Sequence, residues 1–515
     1  MKKFLNGLFK VVFSRTMIIL LIIILQMVIL IGGGMMLTSK FPYVYEGMVV
    51  LATLIMIYII NKDEPAEFKL TWAVFMMLLP VVGILLYVFH TSNWGMVRLK
   101  KKADEEIMLT KHLISNSDGT VSELKREPKA LQNFAFYMDD KCGFPTYHNT
   151  RITYYDIGEK QIEAIKEELR KAKKFIFMEY FIISEGEVWD SILEILKEKV
   201  KEGVEVKVMY DGLCSLLKLP YHYPKELQKL GIDAKQFAPV IPFLSTTQNN
   251  RDHRKILVID GTVGFTGGIN LADEYANLIE VYGHWKDVGI KIEGRAVMSL
   301  TRMFIQNWNL YGKLEVDYEK YLDFPYGVCH FEHDGYIIPY GDAPTVKYEI
   351  GKTVYENIFQ NATEYVHIMM PYFIIDREFL STIEYAALRG VDVRLILPHI
   401  PDKKAAFAMA RTFYPDLLEA GVKVYEYTPG FVHAKVVVSD NTVATVGSVN
   451  LDYRSFYHHF ENGVYMNGSS AVLDVEKDFQ NTLLKCQEIT VEYYQNLSWI
   501  YRFFGRVLRL IAPLM

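Results

Sequence analysis

Cysteine is scarce in this chain. Its four copies, Cys142, Cys214, Cys329 and Cys486 among 515 residues, form no C-x-x-C pair and no zinc-like spacing. That excludes a disulfide framework and a cysteine-built metal centre, and predicts ordinary buried thiols. An excess of positive charge is lacking too. Lys and Arg number 56 against 61 Asp and Glu, a formal net charge of −5, whereas a nucleic-acid partner calls for a basic face. Half of the residues are apolar and 23% are charged, a balance that fits two or three domains plus a membrane segment.

What is present is a doubled motif. His253-Arg254-Lys255-Ile256-Leu257-Val258-Ile259-Asp260 is followed by Gly267-Gly268-Ile269-Asn270. The pattern returns 180 residues later as His433-Ala434-Lys435-Val436-Val437-Val438-Ser439-Asp440, followed by Gly447-Ser448-Val449-Asn450. Composition alone yields one H-x-K-x4-D in about one chain in twenty of this length, so two copies with the same downstream G-[GS]-x-N are not chance. The runs after each Lys are apolar and largely β-branched, the composition of buried strands. Asp260-Gly261 and Asp440-Asn441 are turn signals, and return strands begin at Val263 and Val443.

At strand spacing the His and Lys of each copy point to one side. Each hairpin therefore offers an imidazole and an ammonium at its mouth. Gly267, Gly268, Gly447 and Ser448 permit close backbone approach, and Asn270 and Asn450 add amide donors. An imidazole, a fixed cation and an amide, each doubled, suit a phosphodiester: one His attacks phosphorus, the other protonates the leaving oxygen, and the Lys and Asn pairs hold the non-bridging oxygens. Asp260 and Asp440 are grouped with the catalytic side chains as motif residues, although turn aspartates serve purely structural roles just as readily. His284, His399, His458 and His459 lie near the motifs without metal-ligand spacing. No metal and no other cofactor is expected.

These residues resemble the phospholipase D superfamily over roughly residues 175–497. The resemblance implies an α/β fold of two tandem α/β/α sandwich halves sharing one site, with the first-half histidine, His253, as nucleophile and His433 as acid and base. It also implies a carboxylate at the far nitrogen of each ring. Glu461 lies 28 residues after His433, at the family's position. In the first copy that offset falls on Val281, and the substitute is Asp287 in Trp285-Lys286-Asp287. On this reading Asp287 orients His253 and Glu461 orients His433. Asn450-Leu451-Asp452-Tyr453-Arg454-Ser455 resembles the family's N-x-D-x-R-S, and Trp285 reads as packing.

The first ninety residues read as a membrane anchor with segments at about 17–37, 41–60 and 70–89. Pro80 and Gly83 interrupt the last, which membrane helices tolerate. The basic residues Lys2, Lys3, Lys10 and Arg15 and the cluster Arg98, Lys100, Lys101 and Lys102 both favour the cytoplasmic side. Three spans cannot satisfy both clusters, so either one segment is re-entrant or the second cluster loses. The reading leans to a multi-pass cell-membrane protein with its catalytic part inside.

A charged connector fills residues 91–130, and two halves follow, at 131–320 and 321–497. Phe175–Ile183 echoes Val366–Ile375, and Gly203–Val208 echoes Gly390–Leu395. Helix-period stretches lie between, so each half reads strand, helix, strand, helix, strand and motif hairpin. The tail, 498–515, carries Arg502, Arg506 and Arg509 as one basic stripe, suited to a helix lying on an anionic membrane. Within the superfamily, the paired spans, the full motif set and the tail resemble bacterial cardiolipin synthases. That resemblance implies phosphatidyl transfer between two phosphatidylglycerols, giving cardiolipin and glycerol through a phosphohistidine. The alternatives are a membrane-bound hydrolase with water as acceptor, or another phosphatidyltransferase. The expected partners are phosphatidylglycerol and anionic membrane lipid, with no nucleic acid.

Overall fold

A computed structural model of the chain describes residues 42–514, apart from 92–93, 115–119, 214–215, 217, 221, 240–248, 312–315, 323–330 and 332–333; before Pro42 only Leu25, Val28, Gly32 and Met36 are described. The chain divides into two compact units, one of residues 1–98, 239–250 and 509–515, the other of residues 99–238 and 251–508.

The larger unit holds both motifs. Its first half contributes β1 (Thr150–Tyr155), β2 (Phe175–Tyr180), β3 (Glu205–Asp211), β4 (Asp233–Phe237), β5 (Lys255–Ile259), β6 (Val263–Gly267), β7 (His284–Lys286) and β8 (Gly289–Gly294). The second half contributes β9 (Tyr336–Asp342), β10 (Tyr365–Met369), β11 (Phe373–Ile374), β12 (Asp392–Pro398), β13 (Lys423–Tyr427), β14 (Gly430–Val432), β15 (Val436–Ser439), β16 (Val443–Gly447), β17 (Leu451–Asp452), β18 (Glu461–Asn467) and β19 (Cys486–Ile489). The two main sheets repeat one strand order, β1-β8-β6-β5-β2-β3-β4 and β9-β18-β16-β15-β10-β12-β13, the second carrying β19 as an extra edge. Central strands are parallel where helices connect them (β2 with β3, β10 with β12) and antiparallel within each motif hairpin. This is the predicted alternation of strands and helices, with two tandem halves.

Residue alternation explains the layering. Along β2 and β5, Phe175, Phe177, Ile256 and Val258 enter one apolar cluster, together with the helix Val297–Leu310 and much of the second half. Ile176, Met178, Leu257 and Ile259 enter another, with residues of the helices Gly158–Lys171 and Glu187–Lys201. A strand with apolar side chains on both faces is stable only when both are covered, which the two helical layers achieve.

The motif aspartates stand at the far end of their strands from the histidines. Asp260, at φ 53°, accepts backbone N–H bonds from Lys173, Lys174 and Phe175 at 2.7–2.9 Å. Asp440, at φ 54°, accepts from Thr363, Glu364 and Tyr365 and from the Thr363 hydroxyl at 2.7–3.0 Å. Each ties the hairpin turn to the start of the neighbouring strand, and Asp tolerates the left-handed backbone better than most residues. Seven residues of nearly extended chain separate each from its histidine, roughly 20 Å. Their grouping with the catalytic side chains is therefore corrected: they fix turns.

Among its described residues, the smaller unit includes the helices Pro42–Ile60, Ala66–Leu78 and Pro80–Thr91. The expected segment 17–37 falls outside the described residues apart from isolated positions. The expected single segment 70–89 is instead two helices. Leu79, forced out of helical geometry by the following proline (φ −141°, ψ 73°), breaks them. A Cβ on Gly83 would lie 2.9 Å from the Met76 Cα, so glycine there lets the two helices fold tightly together. Trp72 meets Tyr87 edge-on at 5.3 Å, and Leu514 packs beside Ala52, Ile59, Trp72, Met76 and Ile84. No described helix is long and apolar enough to cross a membrane. Of the cysteines, Cys142 and Cys486 are free and half-buried; Cys214 and Cys329 lie outside the described residues.

Replacing Asp440 by Ala is expected to destabilise the fold by about 2–3 kcal/mol, from lost hydrogen bonds to a carboxylate and from left-handed strain. Thermal denaturation would show the loss, while activity at a permissive temperature stays within a few-fold. An unchanged melting temperature with activity abolished would give Asp440 a chemical role instead.

Candidate active site

His253 and His433 sit just before the first residues of β5 and β15, and both rings are buried, as are Lys255 and Lys435. What places them is main-chain pairing between the halves. The His433 N–H donates to the Lys286 carbonyl at 2.7 Å, continuing the parallel pairing of β14 with β7 (Phe431 opposite Trp285, Val432 opposite Lys286). On the other side the His253 N–H donates to the Phe460 carbonyl and the Phe460 N–H to the Arg251 carbonyl, each at 2.8 Å. The chain entering each motif histidine thus lies against the chain entering the other half's carboxylate.

The consequence is a crossed arrangement. His253 Nδ1 lies 3.0 Å from both oxygens of Glu461, and His433 Nδ1 lies 2.6 Å from Asp287. This reverses the expected assignment of Asp287 to His253 and Glu461 to His433. The equivalence of the two carboxylates does hold. Gly267 pairs with Gly289 in the first sheet and Gly447 with Gly463 in the second, and Asp287 and Glu461 each precede that partner by two residues. A longer loop after β6 accounts for the different offsets from the histidines. Val281, at the position that simple repetition selects, is exposed.

The two carboxylates differ in their surroundings. Glu461 accepts from the Ser455 hydroxyl at 2.7 Å and from the Ser448 hydroxyl as well as facing His253. Burial opposes its ionisation, but its pairing with His253 and the nearby His459 ring outweigh it and hold it well below the usual carboxylate range. Asp287 accepts from the Val288 N–H at 2.8 Å, and burial pushes it up to about 7 against the pull of Lys435. A Cβ on Gly268 would come within 2.1 Å of Asp287, so the position occupied by Ser448 in the second half must be glycine in the first. Gly267 and Gly447 let neighbouring strands approach closely, rather than opening space for a ligand.

Burial holds both imidazoles well below their usual range. A neutral His253 giving its Nδ1–H to the ionised Glu461 leaves a lone pair on Nε2. Lys435 Nζ lies 2.9 Å from His433 Nδ1, and burial, reinforced by Lys255 and countered by Asp287, pushes Lys435 down to about 7. Lys255 donates to the His253 carbonyl at 2.5 Å and lies 5.2 Å from the Phe181 ring centroid. Lys255 also lowers His433 and Lys435 electrostatically, so the two halves' cations share one site.

The asparagines brace the surroundings. Asn270 accepts from the Ile182 N–H at 3.0 Å and donates to the Tyr275 hydroxyl at 2.8 Å; Tyr275 in turn lies edge-on to His433 at 5.4 Å. The Asn450 N–H donates to the Ser455 hydroxyl at 3.0 Å. Trp285 packs on Phe431 and His433, as expected.

His459 is the residue that sequence reasoning missed. Buried two residues before Glu461, it lies 5.6 Å from the His253 ring and 3.7 Å from Glu461. Its counterpart two residues before Asp287 is Trp285. Counting back from the carboxylates, rather than forward from the motif histidines, would have found it. His253, His459 and Glu461 each offer one ligand atom, all within 4.8 Å of one another, and could hold a metal ion. No spacing rule predicts this set, because its members lie up to 208 residues apart. His284 and His399 stand elsewhere, facing Tyr427 and Glu426.

Comparison with known proteins agrees with this architecture. The family profile described as "Cardiolipin synthase, PLD-like domain" matches residues 165–308 and 355–483. The profile "Phospholipase_D-nuclease N-terminal" matches residues 50–89. A cardiolipin synthase of Halalkalibacterium halodurans is 34% identical over 92% of this chain and 95% of its own length, and one of Geobacillus kaustophilus is 34% identical over 88% and 90%. An uncharacterized protein of Streptococcus mutans is 45% identical over 89% of this chain and 99% of its own. The crystal structure of the phosphatidylserine synthase of Haemophilus influenzae covers 76% of this chain and 100% of its own at a TM-score of 0.56 and 16% identity, a likeness of fold. The chain belongs to the cardiolipin synthase family of phospholipase D-like proteins.

Proposed function

We propose that this protein is a phosphatidyltransferase that joins two phosphatidylglycerols into cardiolipin and releases glycerol. The observation that carries the reading is the pair of crossed histidine–carboxylate contacts inside one site, each beside a buried lysine. His253 Nε2 attacks phosphorus, the bond from phosphorus to glycerol oxygen breaks, and His433 gives the leaving oxygen its proton. In the second step His433 takes the proton from the headgroup hydroxyl of the incoming phosphatidylglycerol. That oxygen displaces His253, the P–N bond breaks, and both histidines return to their starting states. Lys255 and Lys435 stabilise charge on the non-bridging oxygens.

The contrast between the carboxylates supports this division of labour. Glu461 stays ionised and fixes the tautomer that leaves His253 Nε2 free. Asp287 and Lys435, each brought to about 7 beside His433, exchange protons near neutrality, which suits an acid that must become a base.

A membrane setting fits the N-terminal helices and the tail. The helix Pro42–Ile60 exposes Val50, Leu54, Ile57 and Ile60. If the helical pair within 66–91 enters and leaves on one face, both basic clusters can lie on the cytoplasmic side. The tail forms the helix Trp499–Ile511, oriented differently from the expected basic stripe. Gly505 is buried against the Ala408 carbonyl, Arg502 stacks over Tyr494 at 5.6 Å, and the exposed residues are Trp499, Ile500, Phe503, Phe504 and Val507 beside Arg506. That aromatic face suits shallow insertion among lipid headgroups.

Four tests bear on these readings. Purified protein given labelled phosphatidylglycerol should yield cardiolipin and glycerol in equal amounts; phosphatidate as the product would make it a hydrolase. With a nitrophenyl phosphodiester, whose leaving group departs unprotonated, His433→Ala should accumulate lipid-labelled His253 while His253→Ala forms no adduct. Label on His433 in the latter would exchange the two roles.

The pH dependence should separate the carboxylates. Activity is expected to fall above about pH 7 as the His433–Asp287–Lys435 group loses the proton that glycerol needs. Asp287→Asn should move that limb, whereas Glu461→Gln should depress activity at least tenfold at every pH without moving it. Identical profiles for the two variants would refute the contrast.

For the tail, lipids carrying a quencher in the upper acyl chain should quench Trp499, and the Trp499→Phe protein should lose that component. Equal quenching in both would place the helix face away from lipid.

A further inference from the structure

The pseudo-symmetry of the site also breaks beside the carboxylates. Two residues before the carboxylate, the half that serves His433 carries Trp285 and the half that serves His253 carries His459. Trp285 is packed among Phe431, Tyr275 and His433. His459 is only 7% exposed, yet neither of its ring nitrogens has a hydrogen-bond partner among the described residues. A buried imidazole without hydrogen bonds is costly and calls for an explanation. It lies beside two other good ligands, and one atom from each of His253, His459 and Glu461 falls within 4.8 Å of the others.

We propose that these three side chains form an inhibitory site for a borderline divalent ion such as Zn²⁺. Two imidazoles and a carboxylate match the ligand preference of Zn²⁺ and its neighbours in the transition series, whereas Mg²⁺ and Ca²⁺ favour all-oxygen sets. Tetrahedral Zn²⁺ holds its ligand atoms about 3.4 Å apart, so the triad must close by about an ångström. The His459 ring, which no hydrogen bond anchors, is the one to move. Three protein ligands leave a fourth position for water or a phosphate oxygen.

Occupancy silences His253 by either of its nitrogens. Glu461 faces Nδ1, and an ion taking Nδ1 needs that lone pair, so the ring proton moves to Nε2, which can no longer attack phosphorus. An ion taking Nε2 occupies the nucleophilic lone pair directly. The ion is therefore an inhibitor that competes with phosphatidylglycerol, and the chemistry proceeds without it. The inhibition rests on His253 as nucleophile, as argued above; the binding does not.

The experiment uses full-length protein stripped with EDTA, with Zn²⁺ binding by equilibrium dialysis and transfer of labelled phosphatidylglycerol followed in parallel. Stripped protein should be fully active, bind one Zn²⁺ per chain with high affinity, and lose at least nine-tenths of its activity; EDTA should restore it. Measured against its own activity in EDTA, whatever that is, His459→Asn should need at least tenfold more Zn²⁺ than wild type for both binding and inhibition. Should that variant not fold, Co²⁺ absorption supplies the second measurement: wild type should give the strong visible bands of a four-coordinate ion, and Glu461→Gln should lose them. Equal inhibition of wild type and His459→Asn, no stoichiometric binding, or Co²⁺ bands that survive in Glu461→Gln would overturn the site. Stoichiometric Zn²⁺ bound through His459 in a protein that makes no cardiolipin would leave the site standing and refute the proposed reaction instead.

Discussion

The site depends on one set of backbone hydrogen bonds between the halves. Phe431 and Val432 run beside Trp285 and Lys286, and Arg251 and Asp252 run beside Phe460. Because main-chain pairing fixes register, it delivers each carboxylate to the histidine of the opposite half without long, adaptable side chains. Without this pairing neither half has a complete histidine–carboxylate pair. A half-chain would present an imidazole with no carboxylate to set its tautomer, and a carboxylate with nothing to orient.

Gathering His253, His433, Lys255, Lys435, Asp287 and Glu461 in one buried place is unfavourable for folding. Charges removed from water cost several kcal/mol each even after relaxation. The surrounding structure offsets this with apolar layers on both faces of two sheets, and with neutral donors such as Ser448 and Ser455 on Glu461. The unequal provision of such donors separates the carboxylates. Glu461, with two hydroxyls, remains an anion; Asp287, with one backbone N–H, lies near the point where it exchanges protons with Lys435 and His433. Two nearly equivalent half-sites thereby become chemically distinct. His459 in place of a second tryptophan adds a further difference on the His253 side.

The chain's own sequence determined what depends on short spacing and residue type. The doubled motif, its strand-and-turn pattern and the alternation of helices with strands are local, written in β-branched runs and turn residues, and they stand in the folded chain where expected. Asp287 was legible as the counterpart of Glu461 despite a longer loop, because Trp285-Lys286-Asp287 carries a family pattern. Only tertiary structure decided which carboxylate meets which histidine, that Asp260 and Asp440 hold turns, that His459 joins the site, and that 66–91 forms two helices. The first and third rest on pairing between segments 146 to 208 residues apart, which no periodicity within one strand encodes. The aspartates' roles rest on which strand start lies beside each turn. The helix break at Leu79 and Pro80 was visible as a residue pattern, but whether it kinks one helix or makes two depended on Gly83 meeting the backbone of Met76.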